Sequence, residues 1–330
     1  MSVAGTLPHA QTSSVAAQPI LSLSRVSKSY GAVQALREVG FDVARGEVHA
    51  ILGENGAGKS TTLKIIHGEI EPDEGEIRLS GRVTSASDRA EGDIAMVHQE
   101  LAVFANMSVA ENIFVGRMPR RGGRIDFARM HRRAAELLEL FGVQVDTREI
   151  LGQLTPGQQQ IVEILRAVES DASLLILDEP TSGLNNREAE TLMALIKRLR
   201  ESGHTILYVS HRLPEVLEIA DDITVLRDGQ FVETLRNEGL SEDDLIRRMV
   251  GRDLGPVAVS DLSSVAAAPV ALAVKGMSLS GAFEDVTIDV RKGEIVGVFG
   301  LEGSGAEPFS QALFGIVPPT SGSLSLLGKP

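Results

Sequence analysis

Residues 53–60 read GENGAGKS and fit the pattern G-x-x-x-x-G-K-[ST]. Glycines at this spacing let backbone N–H groups turn inward around phosphate oxygens, and a helix opening at the end of the run adds the positive end of its dipole. Lys59 is placed to reach the β- and γ-phosphates of a nucleotide, and the Ser60 hydroxyl to bind Mg²⁺. The run LLILDEP ends in Asp178 and Glu179. Asp178 can deliver a carboxylate to the Mg²⁺ shell, whereas Glu179, one residue on, points elsewhere and can polarise an attacking water. His211, in LYVSHRLPE, ends another apolar run on the side where ligands gather in parallel sheets, which favours a γ-phosphate contact. Gln99, in MVHQEL, can reach Mg²⁺ or the attacking water, and its neighbour His98 reads as structural.

This chemistry needs strands that end where the ligand sits. LSLSRVSKSY alternates like a strand, and FDVARGEVHAILG holds a strand, a turn at Arg45-Gly46 and a buried strand ending at Gly53. A helix is expected to start at Gly58-Lys59. LLILD (174–178), TILYV (205–209) and ITVL (223–226) read as further buried strands, separated by helical patterns such as REAETLMALIKRLRESG. Strands alternating with helices predict an α/β fold with a mostly parallel core sheet and an antiparallel N-terminal β part. Between about 100 and 170, FARMHRRAAELLELFG and QQQIVEILRAV predict amphipathic helices, read as a helical subdomain whose apolar stripes are core. The basic run PRRGGR (119–124) reads as a solvated surface loop.

Composition narrows the field. The net charge of −13 argues against nucleic acid as a partner. Cysteine is absent, which removes disulfides and thiol catalysis. No apolar run is long enough to span a bilayer, and residues 1–18 lack the features of a secretory signal, so they are expected to form a disordered tail. Residues 255–270, GPVAVSDLSSVAAAPV, suit a linker between a domain at 19–254 and a partial one at 271–330.

After that linker the sequence repeats at an offset of 300 − 53 = 247. Gly53, Gly56 and Gly58 match Gly300, Gly303 and Gly305, and Gly68, Pro72, Gly75 and Gly81 match Gly315, Pro319, Gly322 and Gly328. The working residues do not repeat: Ala306 stands at the place of Lys59 and Glu307 at that of Ser60.

GENGAGKST, LTPGQQQ, LLILDEPTSGL and LYVSH together resemble the ATP-binding cassette family of P-loop NTPases, over all of 20–253, with the start of a second cassette at 271–330. VHQEL, SHRLPEV, DDITVLRDG and the GLEGSG variant are similar to the fused double-cassette ATPases of bacterial monosaccharide importers of the ribose, galactose and xylose class. The resemblance implies ATP and Mg²⁺ as ligands. ATP would lie on Gly53, Glu54, Asn55, Gly56, Ala57, Gly58, Lys59, Ser60 and Thr61, Mg²⁺ on Ser60, Gln99 and Asp178, and Lys59, Glu179 and His211 would act in catalysis. It further implies that Tyr30 stacks on adenine, that the Gln99 loop senses membrane subunits, and that Thr155, Gly157 and Gln158 cap the γ-phosphate held by an opposite cassette. The partners implied are integral-membrane permease subunits, a second ABC cassette and, indirectly, a periplasmic solute-binding protein. The place implied is the cytoplasmic face of the bacterial cell membrane.

The sequence departs from that family's pattern at several positions. Thr155 and Pro156 replace the usual serine and glycine, and Pro156 offers no N–H. Asn185 stands where an aspartate is frequent, so that charge is absent. In a sandwich of two cassettes, LTPGQ would face GLEGSGAE, which implies one competent composite site and one degraded site. The expected function is energy coupling for a monosaccharide importer, with nucleosides or an autoinducer-type solute as the alternative cargo. A soluble double-cassette translation factor fits less well, because it would carry a long charged linker. A GTPase is disfavoured because no N-K-x-D motif occurs.

Overall fold

The computed structural model describes residues 18–89, 93–251, 267–301 and 303–329. All but the last residue of the expected tail and most of the expected linker lie outside these residues. The chain divides into two units, Met1–Leu254 and Gly255–Pro330.

In the first unit the elements follow in the order β1 (Leu21–Tyr30), β2 (Val33–Val43), β3 (Val48–Leu52), α1 (Lys59–His67), β4 (Glu74–Leu79), β5 (Arg82–Val83), α2 (Ala86–Asp88), β6 (Ile94–Val97) and α3 (Val109–Ile113). Then come β7 (Arg120–Arg121), β8 (Arg124–Ile125), α4 (Phe127–Leu140), α5 (Pro156–Val168), β9 (Leu174–Asp178), α6 (Asn186–Glu201), β10 (Thr205–Val209), α7 (Leu213–Ile219), β11 (Asp222–Arg227), β12 (Gln230–Arg236) and α8 (Glu242–Val250). The strands without alternation are those buried on both faces. VHAIL of β3 and TILYV of β10 are buried at every position, as a central parallel strand requires.

These strands form a six-stranded sheet in the order β12-β11-β3-β10-β9-β6. β11, β3, β10, β9 and β6 run parallel, and β12 pairs antiparallel at the edge. Successive residues feed opposite faces. Leu175, Leu177, Ile206 and Tyr208 join a core with α4, α5 and α6, while Leu174, Ile176, Leu207 and Val209 join one with α1 and the N-terminal strands. Those N-terminal strands make the antiparallel sheet β2-β1-β4-β5, as the alternation of LSLSRVSKSY predicts. Gly46 takes φ 74° in the turn between β2 and β3.

Residues 100–170 carry α3, α4 and α5, the expected helical part, with one difference. The basic run 119–124 is not an open loop: Arg121 pairs with Arg124 and Arg120 with Ile125 across a two-residue Gly122-Gly123 turn. Adjacent glycines favour such a hairpin turn, and the side chains remain exposed.

The second unit contains β13 (Val270–Leu279), β14 (Phe283–Arg291), α9 (Ala306–Phe314) and β15 (Ser321–Leu326), with sheet order β14-β13-β15. Backbone geometry recurs across the two units. Gly56 and Gly303 have φ 85° and 80°, Gly58 and Gly305 have 96° and 89°, and Gly75 and Gly322 have 93° and 95°. The first hairpin is shorter in the second unit: Val26 faces Val39, whereas Met277 faces Val286, so the offset there is 277 − 26 = 251 rather than 286 − 39 = 247. One element of the expected repeat is missing. Residues 294–300 form no strand, and Ile295 and Phe299 are 98% and 94% exposed. β3 is held between β10 and β11, and the described residues of the second unit hold no counterpart of either.

Candidate functional site

Three parallel strands end along one edge of the sheet. Val209 of β10 lies level with Asp178 of β9 and with Ile51 of β3, so the loops after all three strands open on the same side. The loop 53–58 follows β3 and leads into α1. Gly58 adopts φ 96° as its N-cap, and a Cβ there would come within 2.5 Å of Leu36 Cδ2 and 2.9 Å of the Ala35 carbonyl. Gly53 is restricted by space instead, since a Cβ would sit 2.4 Å from the Leu226 carbonyl. α1 has no side-chain cap and no acid in its first turn. Among the described residues, the amides of Gly56, Gly58, Lys59 and Ser60 donate to no protein acceptor. They form a concave set of donors at a positive helix end, which suits an anion.

Lys59 is buried and curls back, donating from Nζ to the Gly53 carbonyl at 2.8 Å and the Glu54 carbonyl at 3.1 Å. Burial lowers its pKa, opposed by Glu179 and Asp178. Asp178 is shifted the other way: burial raises its pKa, and adjacent Glu179 raises it further, against the influence of His98, Lys59 and Lys64. Two crowded carboxylates beside the Ser60 hydroxyl and the Gln99 amide make an oxygen-rich set with excess negative charge, a chemistry that fits a hard divalent cation such as Mg²⁺.

Glu179 sits at φ 47°, a conformation that costs a non-glycine residue of order 1 kcal/mol. Its N–H donates to the Val209 carbonyl at 2.8 Å, which continues the ladder one residue past the strand. The side chain is then free to meet His211, whose Nδ1 lies 3.1 Å from Glu179 Oε2. Asp178 and Glu179 therefore occupy different positions in the site although they are adjacent in sequence.

One hollow of about 510 Å³ is bordered by Tyr30, Asn55, Gly56, Gly58, Lys59, Ser60, Thr61, Gln99, Asp178 and Glu179. Tyr30 ends β1 with its ring half exposed and Lys28 Nζ 6.0 Å from the ring centre. His98 lies outside the hollow, 3.9 Å from Glu69 Oε1 and edge-on to His67. A larger hollow of about 750 Å³ occurs elsewhere, but it does not bring phosphate-binding backbone, lysine and paired carboxylates together.

Thr155, Gly157 and Gln158 are not brought to this hollow. Thr155 caps α5, accepting from the Gln158 N–H at 3.3 Å, while Gln158 Oε1 accepts from the Thr155 N–H at 3.0 Å. Pro156 occupies the first helical position, where its missing N–H costs nothing. The Gly157 N–H donates to Glu188 Oε1 at 3.3 Å, so an acid of this unit already occupies that donor. Asn185 caps α6, with its Oδ1 accepting from the Glu188 N–H at 3.0 Å.

Glu215 is a further residue at this edge, one not legible in the sequence. Its Oε2 accepts from Thr181 Oγ1 at 2.7 Å, Tyr208 Oη at 2.9 Å and Ser210 Oγ at 3.3 Å. It thus ties the loop after Glu179 to the strand end before His211. The signal in sequence was faint: an acid four residues after His211 at the start of a short helix.

In the second unit the corresponding turn differs chemically. Gly305 caps α9 at φ 89°, as Gly58 caps α1. The first turn carries Ala306 and the acid Glu307, which accepts from Gln311 Nε2 at 3.1 Å.

The first unit has the P-loop NTPase fold of the ABC ATPases. Residues 36–182 match the family described as ABC transporter. Over 99% of its length the chain is 44% identical to the putative ribose/galactose/methyl galactoside import ATP-binding protein 2 of Agrobacterium fabrum, and it covers 63% of that protein. The chain therefore spans less than two thirds of that relative. Among solved structures it resembles cbiO1 of Clostridium perfringens, part of the ABC transporter complex cbiONQ, with a TM-score of 0.62, 25% identity, and coverage of 71% of this chain and 96% of that one. It also resembles the dimeric post-hydrolysis ATP-binding cassette MJ0796 bound to ADP and Pi, with a TM-score of 0.57, 28% identity, and coverage of 67% and 100%.

Proposed function

We propose that the chain is the ATP-hydrolysing, energy-coupling part of a membrane importer. The observation that carries this reading is the single hollow shared by the free amides of loop 53–60, Lys59, Ser60, Gln99, Asp178 and Glu179. In the proposed mechanism the loop amides and Lys59 hold the phosphate tail, and Tyr30 offers a face to adenine. Ser60, Asp178 and Gln99 would hold Mg²⁺, which when bound would supply charge neutralisation for the phosphates. Glu179 accepts a hydrogen bond from the attacking water, and His211, 3.1 Å away, steadies that carboxylate beside the γ-phosphate. The water oxygen bonds to the γ-phosphorus as the bond to the leaving β–γ bridging oxygen breaks, giving ADP and phosphate.

The second unit reads as the start of a second cassette, supported by the recurring φ values and by the greater length of the relative. There the loss of lysine removes a charge-assisted hydrogen bond worth about 1.5–3 kcal/mol, and Glu307 places negative charge where phosphate would go. In the first unit the turn that would cap a phosphate carries Thr155 and Pro156, and its Gly157 N–H is bonded to Glu188. One composite site would turn over and the other would serve as a contact. The name of the Agrobacterium fabrum relative favours a monosaccharide cargo, with a nucleoside or autoinducer-type solute as the second reading, and permease subunits, a second cassette and indirectly a periplasmic binding protein as partners at the cytoplasmic face. Reconstitution with the permease and the complete second cassette tests this. Glu179→Gln should retain ATP and lose both turnover and import, and undiminished turnover would remove Glu179 from its role.

A further inference from the structure

Residues 117–133 hold seven arginines and one aspartate, so this stretch carries +7 − 1 = +6 and the rest of the chain −13 − 6 = −19. All seven arginines are exposed. Arg120, Arg121 and Arg124 lie on the β7–β8 hairpin, whose turn glycines have no atom within 4 Å of where a Cβ would stand. Asp126 caps α4, accepting from the Arg129 N–H at 3.0 Å. The helix then carries Arg129, Arg132 and Arg133, at helical spacings of three and four residues, on one face. With Arg117 they border a hollow of about 750 Å³ that also holds Glu136 and Glu169.

Only Arg133 is paired there, at 3.5 Å from both Glu136 and Glu169. Among the described residues the other six arginines have no carboxylate within 4.0 Å, whereas arginines elsewhere on the surface do, such as Arg78 with Glu76 and Arg236 with Asp222. Beside the unpaired charges, Ile125 and Phe127 expose apolar side chains to solvent.

We propose that the hairpin and the first turns of α4 form a docking surface for the anionic phosphate headgroups of a lipid membrane. Guanidinium groups match phosphate oxygens two at a time. Interspersed apolar side chains suit the boundary between headgroup and acyl chain. A single phenylalanine gives no stacking platform of the kind that single-stranded nucleic acid uses. The surface is separate from the nucleotide site and does not depend on the transport reading.

The test is flotation of the 330-residue chain with vesicles of phosphatidylcholine alone or mixed with phosphatidylglycerol, without permease. The chain should float with the anionic vesicles, less so as salt rises, and not with neutral ones. The triple variant Arg120→Gln, Arg121→Gln, Arg124→Gln should bind them on the order of 100-fold more weakly, with ATP affinity unchanged. Phe127→Ser should weaken binding with all charges kept. Equal binding to both vesicle types, no binding, or undiminished binding by the triple variant would overturn the proposal. So would displacement from the vesicles by an RNA oligonucleotide or an acidic peptide that binds more tightly at the same ionic strength. None of these results would bear on ATP turnover.

Discussion

At the scale of single residues, the site separates two adjacent carboxylates. Glu179 takes a left-handed backbone conformation and turns toward His211, while Asp178 stays at the strand end beside Lys59. Burial and Glu179 raise the pKa of Asp178, so its charged form is disfavoured in the fold. The cost of burying this charge is present above the raised pKa and relieved as pH falls through it. For Mg²⁺ the consequence is opposite, because the site loses a ligand charge on acidification. The Mg²⁺-dependent part of ATP affinity should therefore fall at a pH above the ordinary aspartate value of about 3.9, and Asp178→Asn should remove that pH dependence. Titrations at a series of pH values check this. An unchanged dependence in Asp178→Asn would show that another group titrates.

At the scale of elements, helix termini divide into those left open and those closed. α1 opens with free amides and no cap, while α5 is closed by the reciprocal pair Thr155 and Gln158 and by Glu188 on Gly157. Thr155→Ala should cost about 1 kcal/mol of stability, as loss of an N-cap does, read as a lower thermal midpoint with ATP affinity at Lys59 unaffected. No change in the midpoint would mean that the cap is dispensable. These elements were legible to different degrees. The strands ending at Leu52, Asp178 and Val209 showed as continuous apolar runs because both faces are buried. The loop 53–60 showed because its glycines meet steric limits that no other residue satisfies. Glu215 did not show: its partners Thr181, Tyr208 and Ser210 come from two segments that only the sheet brings together. The hairpin at 120–125 was hidden by its charges, which read as solvated surface whatever the backbone does. Residues 294–300 carry the apolar pattern of a buried strand, but that pattern cannot supply its own pairing partners.

At the scale of the whole molecule, the two units are chemically unequal. The first unit holds a complete set of nucleotide-binding groups, and the second repeats its backbone turns with alanine and glutamate in place of lysine and serine. On the proposed reading, turnover at Lys59 requires a surface from a complete second cassette. The 330-residue chain by itself should therefore bind ATP and hydrolyse it slowly, which a phosphate-release assay measures. Turnover that is rapid and independent of chain concentration would show that the first unit needs no partner surface.

The chain is expected to hold one working nucleotide site. Equilibrium titration of the chain with ATP and Mg²⁺ tests it most directly. We expect one nucleotide bound per chain, with Lys59→Ala weakening that binding about 10- to 150-fold. Two nucleotides per chain, or full affinity in the Lys59→Ala variant, would contradict it.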